Sequence, residues 1–124
     1  MVMNRWWKEN VEAVAAAVDN AEKTSGHQIL VRVGRLGWRP NRTADAIAAK
    51  YPGASLVFCV DPGRRAFEIR WSRLISLDSA VVADIAREPL SRHDLPAAVA
   101  AVAALLPRQA EGEELPDIVD DQGR

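Results

Sequence analysis

The chain has 124 residues, 48% of them hydrophobic, and a formal net charge of −1, enough for one domain whose core needs neither a metal nor a disulfide. Its single cysteine, Cys59, excludes an internal disulfide and any multi-cysteine metal site. No run approaches the ~18–20 apolar residues of a membrane span, and the N-terminus lacks the continuous apolar stretch of a secretion signal, so a soluble, cytoplasmic protein is expected.

Trp7, Val11, Val14, Val18 and Ala21 recur at steps of four, three, four and three, which predicts a helix over about Asn4 to Thr24. Gly26 suits the left-handed residue that ends it. Ile29–Val33 reads as a short strand with Ile29, Val31 and Val33 on one face. Gly34, Gly37 and Pro40 then mark a loop, and Asn41 or Thr43 can cap a short helix to about Lys50. Ser55–Val60 has no polar alternation and reads as a strand covered on both faces, with Cys59 as a small buried hydrophobe inside it. Asp61-Pro62-Gly63-Arg64 is a turn. Ala66–Trp71 alternates, with Phe67, Ile69 and Trp71 to one side and Glu68 and Arg70 to the other, so it returns as the outer strand of a hairpin. Ser76 or Asp78 opens a helix to about Glu88, with Pro89 following. Asp94, with Pro96 in the first turn, opens the last helix, which stops before Pro107.

Strand, helix and strand in that order imply a parallel pair joined by a right-handed crossover, to which the hairpin adds an antiparallel strand. The expected fold is a small α/β sandwich of the Rossmann-like kind: a mixed sheet of three or four strands with helices on both faces, over residues 1–106. Residues 107–124 form an acidic tail, with six acids against Arg108 and Arg124, and its composition predicts disorder. By contrast, Arg32 to Arg73 carries nine bases against Asp45, Asp61 and Glu68. The tail could fold back over that basic face in the manner of an anionic partner.

Val31-Arg32-Val33-Gly34, Val60-Asp61-Pro62-Gly63-Arg64-Arg65 with Glu68-Ile69, Leu77-Asp78-Ser79 and His93-Asp94-Leu95 follow one another along the chain. In that order and spacing they resemble the TPM domain family, and most of all its actinobacterial branch of unknown function, over roughly residues 20–106. Three positions depart from the family pattern: Trp71-Ser72 stands where a glycine usually follows the second hairpin strand, Ser79 replaces an acid, and His93 replaces a glycine. The resemblance implies the α/β sandwich already read from the pattern. It also implies an association with acid phosphatase activity and photosystem repair in plant relatives, and divalent-cation binding through acidic loops in some members.

Ligands of mixed α/β sheets gather beyond the carboxyl ends of the parallel strands. Those ends are the Gly34–Pro40 loop and the Asp61–Arg65 turn, so Arg35, Trp38, Arg39, Asp61, Arg64 and Arg65 are the candidate anion- or partner-binding residues, guanidinium groups being suited to phosphate and carboxylate. The competing reading is that Asp61 caps its turn and the arginines form a solvated face. For a cation, Ca or Mg, the family pattern offers only Asp61, Asp78 and Asp94, each of which also reads as a turn former or helix cap. No nucleophile elbow, phosphate-binding loop or paired-carboxylate motif is present, and His27 and His93 read as surface residues.

The favoured function is therefore a non-catalytic binding or interaction module for an anionic ligand or a protein partner. A cation-dependent acid phosphatase is the alternative, and a nucleic-acid-associated protein a second. Against the last, Trp6 and Trp7 lie outside the basic region and no reader motif occurs. An exposed Trp6 would suit a homodimer.

Overall fold

The apolar run Leu56–Val60, ending in Asp61, forms the central strand about which the other elements are arranged. The computed structural model describes residues 2–107, with side chains from Asn10 onward. In chain order the elements are α1 (Val2–Ser25), β1 (Ile29–Val33), α2 (Pro40–Lys50), β2 (Leu56–Asp61), β3 (Ala66–Trp71), α3 (Ser79–Ser91) and α4 (Leu95–Ala103). The sheet has three strands in the order β1-β2-β3. β1 runs parallel to β2 with Ile29 opposite Leu56, and β3 runs antiparallel with Asp61 opposite Ala66. Every residue of β2 is buried, as a central strand covered on both faces requires.

One face of the sheet presents Ile29, Val31, Leu56, Phe58, Val60 and Ile69 to the larger core, where Val14, Val82, Leu95, Val99 and Val102 of α1, α3 and α4 meet them. α4 packs against both α1 and α3, which explains why its sequence, Leu-Pro-Ala-Ala-Val-Ala-Ala-Val-Ala, carries no polar face. The opposite face holds a smaller core of Leu36, Ala44, Ile47, Val57 and Cys59 beneath α2. Burial pushes the Cys59 thiol's pKa up, against the pull of Arg32 and Arg70, so it behaves as the hydrophobe its surroundings imply. Beside this core Arg70 of β3 reaches Asp45 of α2 at 2.7 Å and Glu68 at 3.0 Å, and donates to the Asn41 carbonyl, fastening α2 to the sheet edge. Burial alone would lower the Arg70 pKa, but the two carboxylates outweigh it and raise it.

The helix ends correct the sequence reading in detail. Neither Asn41 nor Thr43 caps α2: the helix starts on Pro40, and the Thr43 hydroxyl instead donates to the Leu36 carbonyl at 2.7 Å. Pro89 does not follow α3 but lies buried in its last turn. That turn closes as a Schellman motif, with Asp94 N–H donating to the Pro89 carbonyl at 2.9 Å and His93 N–H to the Leu90 carbonyl at 3.0 Å. His93 takes the left-handed position of the motif, φ 59°, where glycine would sit without strain. Asp94 then caps α4 by accepting the Ala97 N–H, as Asp78 caps α3 by accepting those of Ala80 and Val81.

The stripe expected along α1 is buried at Val14 and Ala21 but exposed at Val11, and the Trp6 and Trp7 side chains lie outside the described residues. So does the tail from Arg108 on. Among the described residues no helix is long and apolar enough to cross a membrane.

Candidate functional site: the carboxyl ends of the parallel strands

A strand that ends in aspartate next to a backbone loop can use its carboxylate as a hub for loop N–H groups. Asp61, the last residue of β2, does this: it is only 2% exposed, and its Oδ2 accepts the Leu36 N–H at 3.1 Å while its Oδ1 accepts the Arg64 N–H at 3.3 Å. One carboxylate thereby joins the loop after β1 to the turn after β2. Further bonds complete the joint. Gly34 N–H donates to the Val60 carbonyl at 2.9 Å, and the Arg64 guanidinium donates to the Gly37 carbonyl at 3.0 Å. Gly37 adopts φ 78°, a conformation that favours glycine, and Leu36 drops its side chain into the core beneath α2.

The loop and turn so joined enclose a shallow cavity of about 470 Å³ lined by Arg35, Gly37, Trp38, Asp61, Gly63 and Arg64. Four of the six anion-site candidates thus meet at one place. Trp38 stands 92% exposed at its edge. Among the described residues neither Arg35 nor Arg64 has a carboxylate partner, whereas Arg70, Arg87 and Arg92 all do. The cavity therefore combines unneutralised guanidinium groups with an aromatic face, a combination suited to carboxylates, phosphates and planar groups. Asp61 contributes by positioning, since its oxygens are already engaged by backbone.

The remaining two candidates are placed elsewhere. Arg39 occupies the position before Pro40 at the start of α2, is exposed and does not line the cavity. Arg65 takes φ 54° as the chain turns into β3, which directs it to a separate cavity on the other side of the turn.

The three cation candidates do not form one cluster. Among the described residues no three His, Cys, Asp or Glu groups come together in a way that could hold a metal, so Asp61, Asp78 and Asp94 do not converge. They stand at three different places, the end of β2 and the starts of α3 and α4, and each carboxylate accepts backbone N–H groups at its own turn or helix start.

His27 is also corrected, because it is buried rather than on the surface. Its Nε2 lies 2.6 Å from the Pro107 carbonyl and its Nδ1 lies 2.9 Å from the Ser55 hydroxyl. A carbonyl can only accept, so Nε2 carries a proton there and Nδ1 faces a hydroxyl that can donate or accept. The hint in the sequence was its position between Gly26 and a strand, where a polar side chain at a chain crossing needs partners.

No family model matches the chain, and no curated protein matches it. Solved structures do. The N-terminal domain of the cg2496 protein from Corynebacterium glutamicum is similar with a TM-score of 0.63 at 16% identity, over 91% of this chain and 79% of that one. The BA42 protein of the psychrophilic bacterium Bizionia argentinensis is similar with a TM-score of 0.62 at 15% identity, over 93% of each chain. At such identities the likeness is one of fold.

Proposed function

We propose that the chain is a non-catalytic binding module that takes an anionic group, carried by a ligand or a protein partner, at the cavity between Arg35, Trp38 and Arg64. The observation that carries this reading is the pair of guanidinium groups without carboxylate partners, beside an indole left 92% exposed. Surface arginines of a purely solvating face gain little from being gathered. Here a buried aspartate and a left-handed glycine hold the loop that gathers them. The rigid floor also reduces the ordering cost that a ligand would otherwise meet. The motif resemblance to the TPM domain family is compatible with this reading. Acid phosphatase activity has less support, because the carboxylates that such chemistry would use are spent on turns and caps.

The test is a titration of the full chain with citrate, inorganic phosphate and an acidic peptide, followed through backbone amide shifts. One of these probes should move Arg35, Gly37 and Arg64 together. Arg35→Gln and Arg64→Gln should each weaken that probe about tenfold, the worth of one charged hydrogen bond. Unchanged affinity in both variants would remove the reading.

A further inference from the structure

A second cavity, of about 210 Å³, lies on the other side of the Pro62–Arg65 turn, between the β2–β3 hairpin and the end of α3. Its walls are mostly apolar, from Val60, Pro62, Ala66, Phe67 and Leu90, with Ser91 and with Asp61, whose carboxylate oxygens are engaged by the Leu36 and Arg64 N–H groups, and its rim carries Arg65, Arg87 and His93. Among the described residues only two outside glycine have a left-handed backbone, Arg65 and His93, and both stand at this rim. They come from separate elements, the hairpin turn and the α3 terminus. Strain of this kind costs on the order of 1 kcal/mol per residue and concentrates where a surface is shaped for an occupant.

The chemistry of the occupant follows from size and charge. The volume is below the roughly 300–1,000 Å³ of small-molecule sites and suits one or two aliphatic side chains. The rim asks for carboxylates beside them. Arg65 has no carboxylate partner among the described residues, and Arg87 holds only the exposed Asp84, a pair that yields at little cost.

The chain itself carries a segment of this chemistry. Residues 113–121 read Glu-Glu-Leu-Pro-Asp-Ile-Val-Asp-Asp, with Leu115, Ile118 and Val119 set among five carboxylates. Reach permits it. The segment is tethered at Pro107, whose carbonyl is held by His27 beside Ser55, next to the first residue of β2. The cavity lies at the other end of β2, about 20 Å away for six residues of strand. Eleven residues from Pro107 to Ile118 extend to about 36 Å, leaving slack to round the helices.

We propose that Glu113–Asp121 docks in cis on this cavity, placing an aliphatic side chain, Ile118, between Phe67 and Leu90 and its carboxylates at Arg65 and Arg87. The site shares only Asp61 with the Arg35–Trp38–Arg64 cavity and stands whether or not that cavity binds anions. An external acidic segment of similar pattern would have to displace the tail, which makes the tail a competitor built into the chain.

The experiment uses the full chain with a nitroxide attached at Gln122→Cys, the buried Cys59 being shielded from labelling. Amides of Arg65–Phe67 and Arg87–His93 should broaden selectively, equally at low and high protein concentration and progressively less as salt rises. Ile118→Asp should abolish the broadening. Arg65→Gly relieves backbone strain, so it cannot act by unfolding the turn, and it should reduce the broadening severalfold. Uniform or absent broadening overturns the proposal. Broadening centred on Arg35–Arg39 overturns it in favour of the other cavity. Broadening that grows with protein concentration overturns the cis arrangement in favour of a second copy.

Discussion

The two ends of β2 place polar groups under opposite conditions. At its start, Ser25, His27, Ser55 and the Pro107 carbonyl form a closed set in which each polar group meets another, including a bond from the Ser25 hydroxyl to the Ala21 carbonyl at 2.8 Å. Nothing there is left over for a ligand. At its end, Asp61 is just as thoroughly satisfied, yet what it holds in place is a loop and a turn whose arginines remain without carboxylates. A satisfied polar group is structural at either end. What makes one end a candidate site is the set of charged groups that the satisfied one positions and leaves open.

Removing the hubs should separate the two ends, and Asp61→Ala should have the largest effect. It strips the buried Leu36 N–H of its acceptor, which costs roughly 1–3 kcal/mol for a donor left unsatisfied, while the exposed Arg64 N–H keeps the Asp61 backbone carbonyl as acceptor at 3.2 Å. We expect a loss of about 2 kcal/mol in urea unfolding and loss of the anion response, since the loop is no longer held. Asp61→Asn should fall between, because one amide oxygen can serve only one side of the hub without presenting its own NH2 to a donor. Equal stability of Asp61→Ala and the parent chain would show that the hub is not needed. His27→Leu comes next, at about 1–2 kcal/mol, because its partners are near the surface and water can replace the lost bonds. It should leave the response of Arg35 and Arg64 to anions unchanged. A response lost in step with that stability would mean that the two ends are not independent.

The fold was legible where pattern and burial coincide. The unbroken run from Ser55 to Val60, the alternation of Phe67, Ile69 and Trp71, and the glycine after α1 gave the central strand, the outer strand and the helix stop. What the sequence concealed was how each backbone group would be satisfied. Pro89 looked like a terminator, but a Schellman closure three residues later lets the helix continue past it. Asp61-Pro62-Gly63-Arg64 reads as a turn, but the left-handed residue falls one position beyond it, on Arg65. This single displacement divides the arginine cluster. Arg64 stays with Arg35 and Trp38, while Arg65 faces α3. Residue types showed that the site was basic; the turn geometry decided which bases share it. His27 was misread for a related reason, since its partners lie 28 and 80 residues away and no local pattern announces them.

The smallest expected effects fall on the turn residues themselves, and they test whether backbone strain is retained for function. His93→Gly and Arg65→Gly each remove a left-handed side-chain-bearing residue and should stabilise the native state by about 0.5–1 kcal/mol in thermal or urea unfolding, less the entropy that glycine adds to the unfolded chain. In a Schellman closure the gain should be clearer at His93, because the two closing hydrogen bonds there fix the backbone whatever the side chain. At Arg65 the gain should be smaller, the turn being held more loosely by a bond of 3.3 Å from its N–H to the Pro62 carbonyl. If either glycine variant is more stable yet unaltered in every binding measurement, the strain at that position serves no occupant. If stability rises while docking at the apolar cavity weakens, the side chain is retained for what it contacts, and the strain is the cost of keeping a cation at the rim.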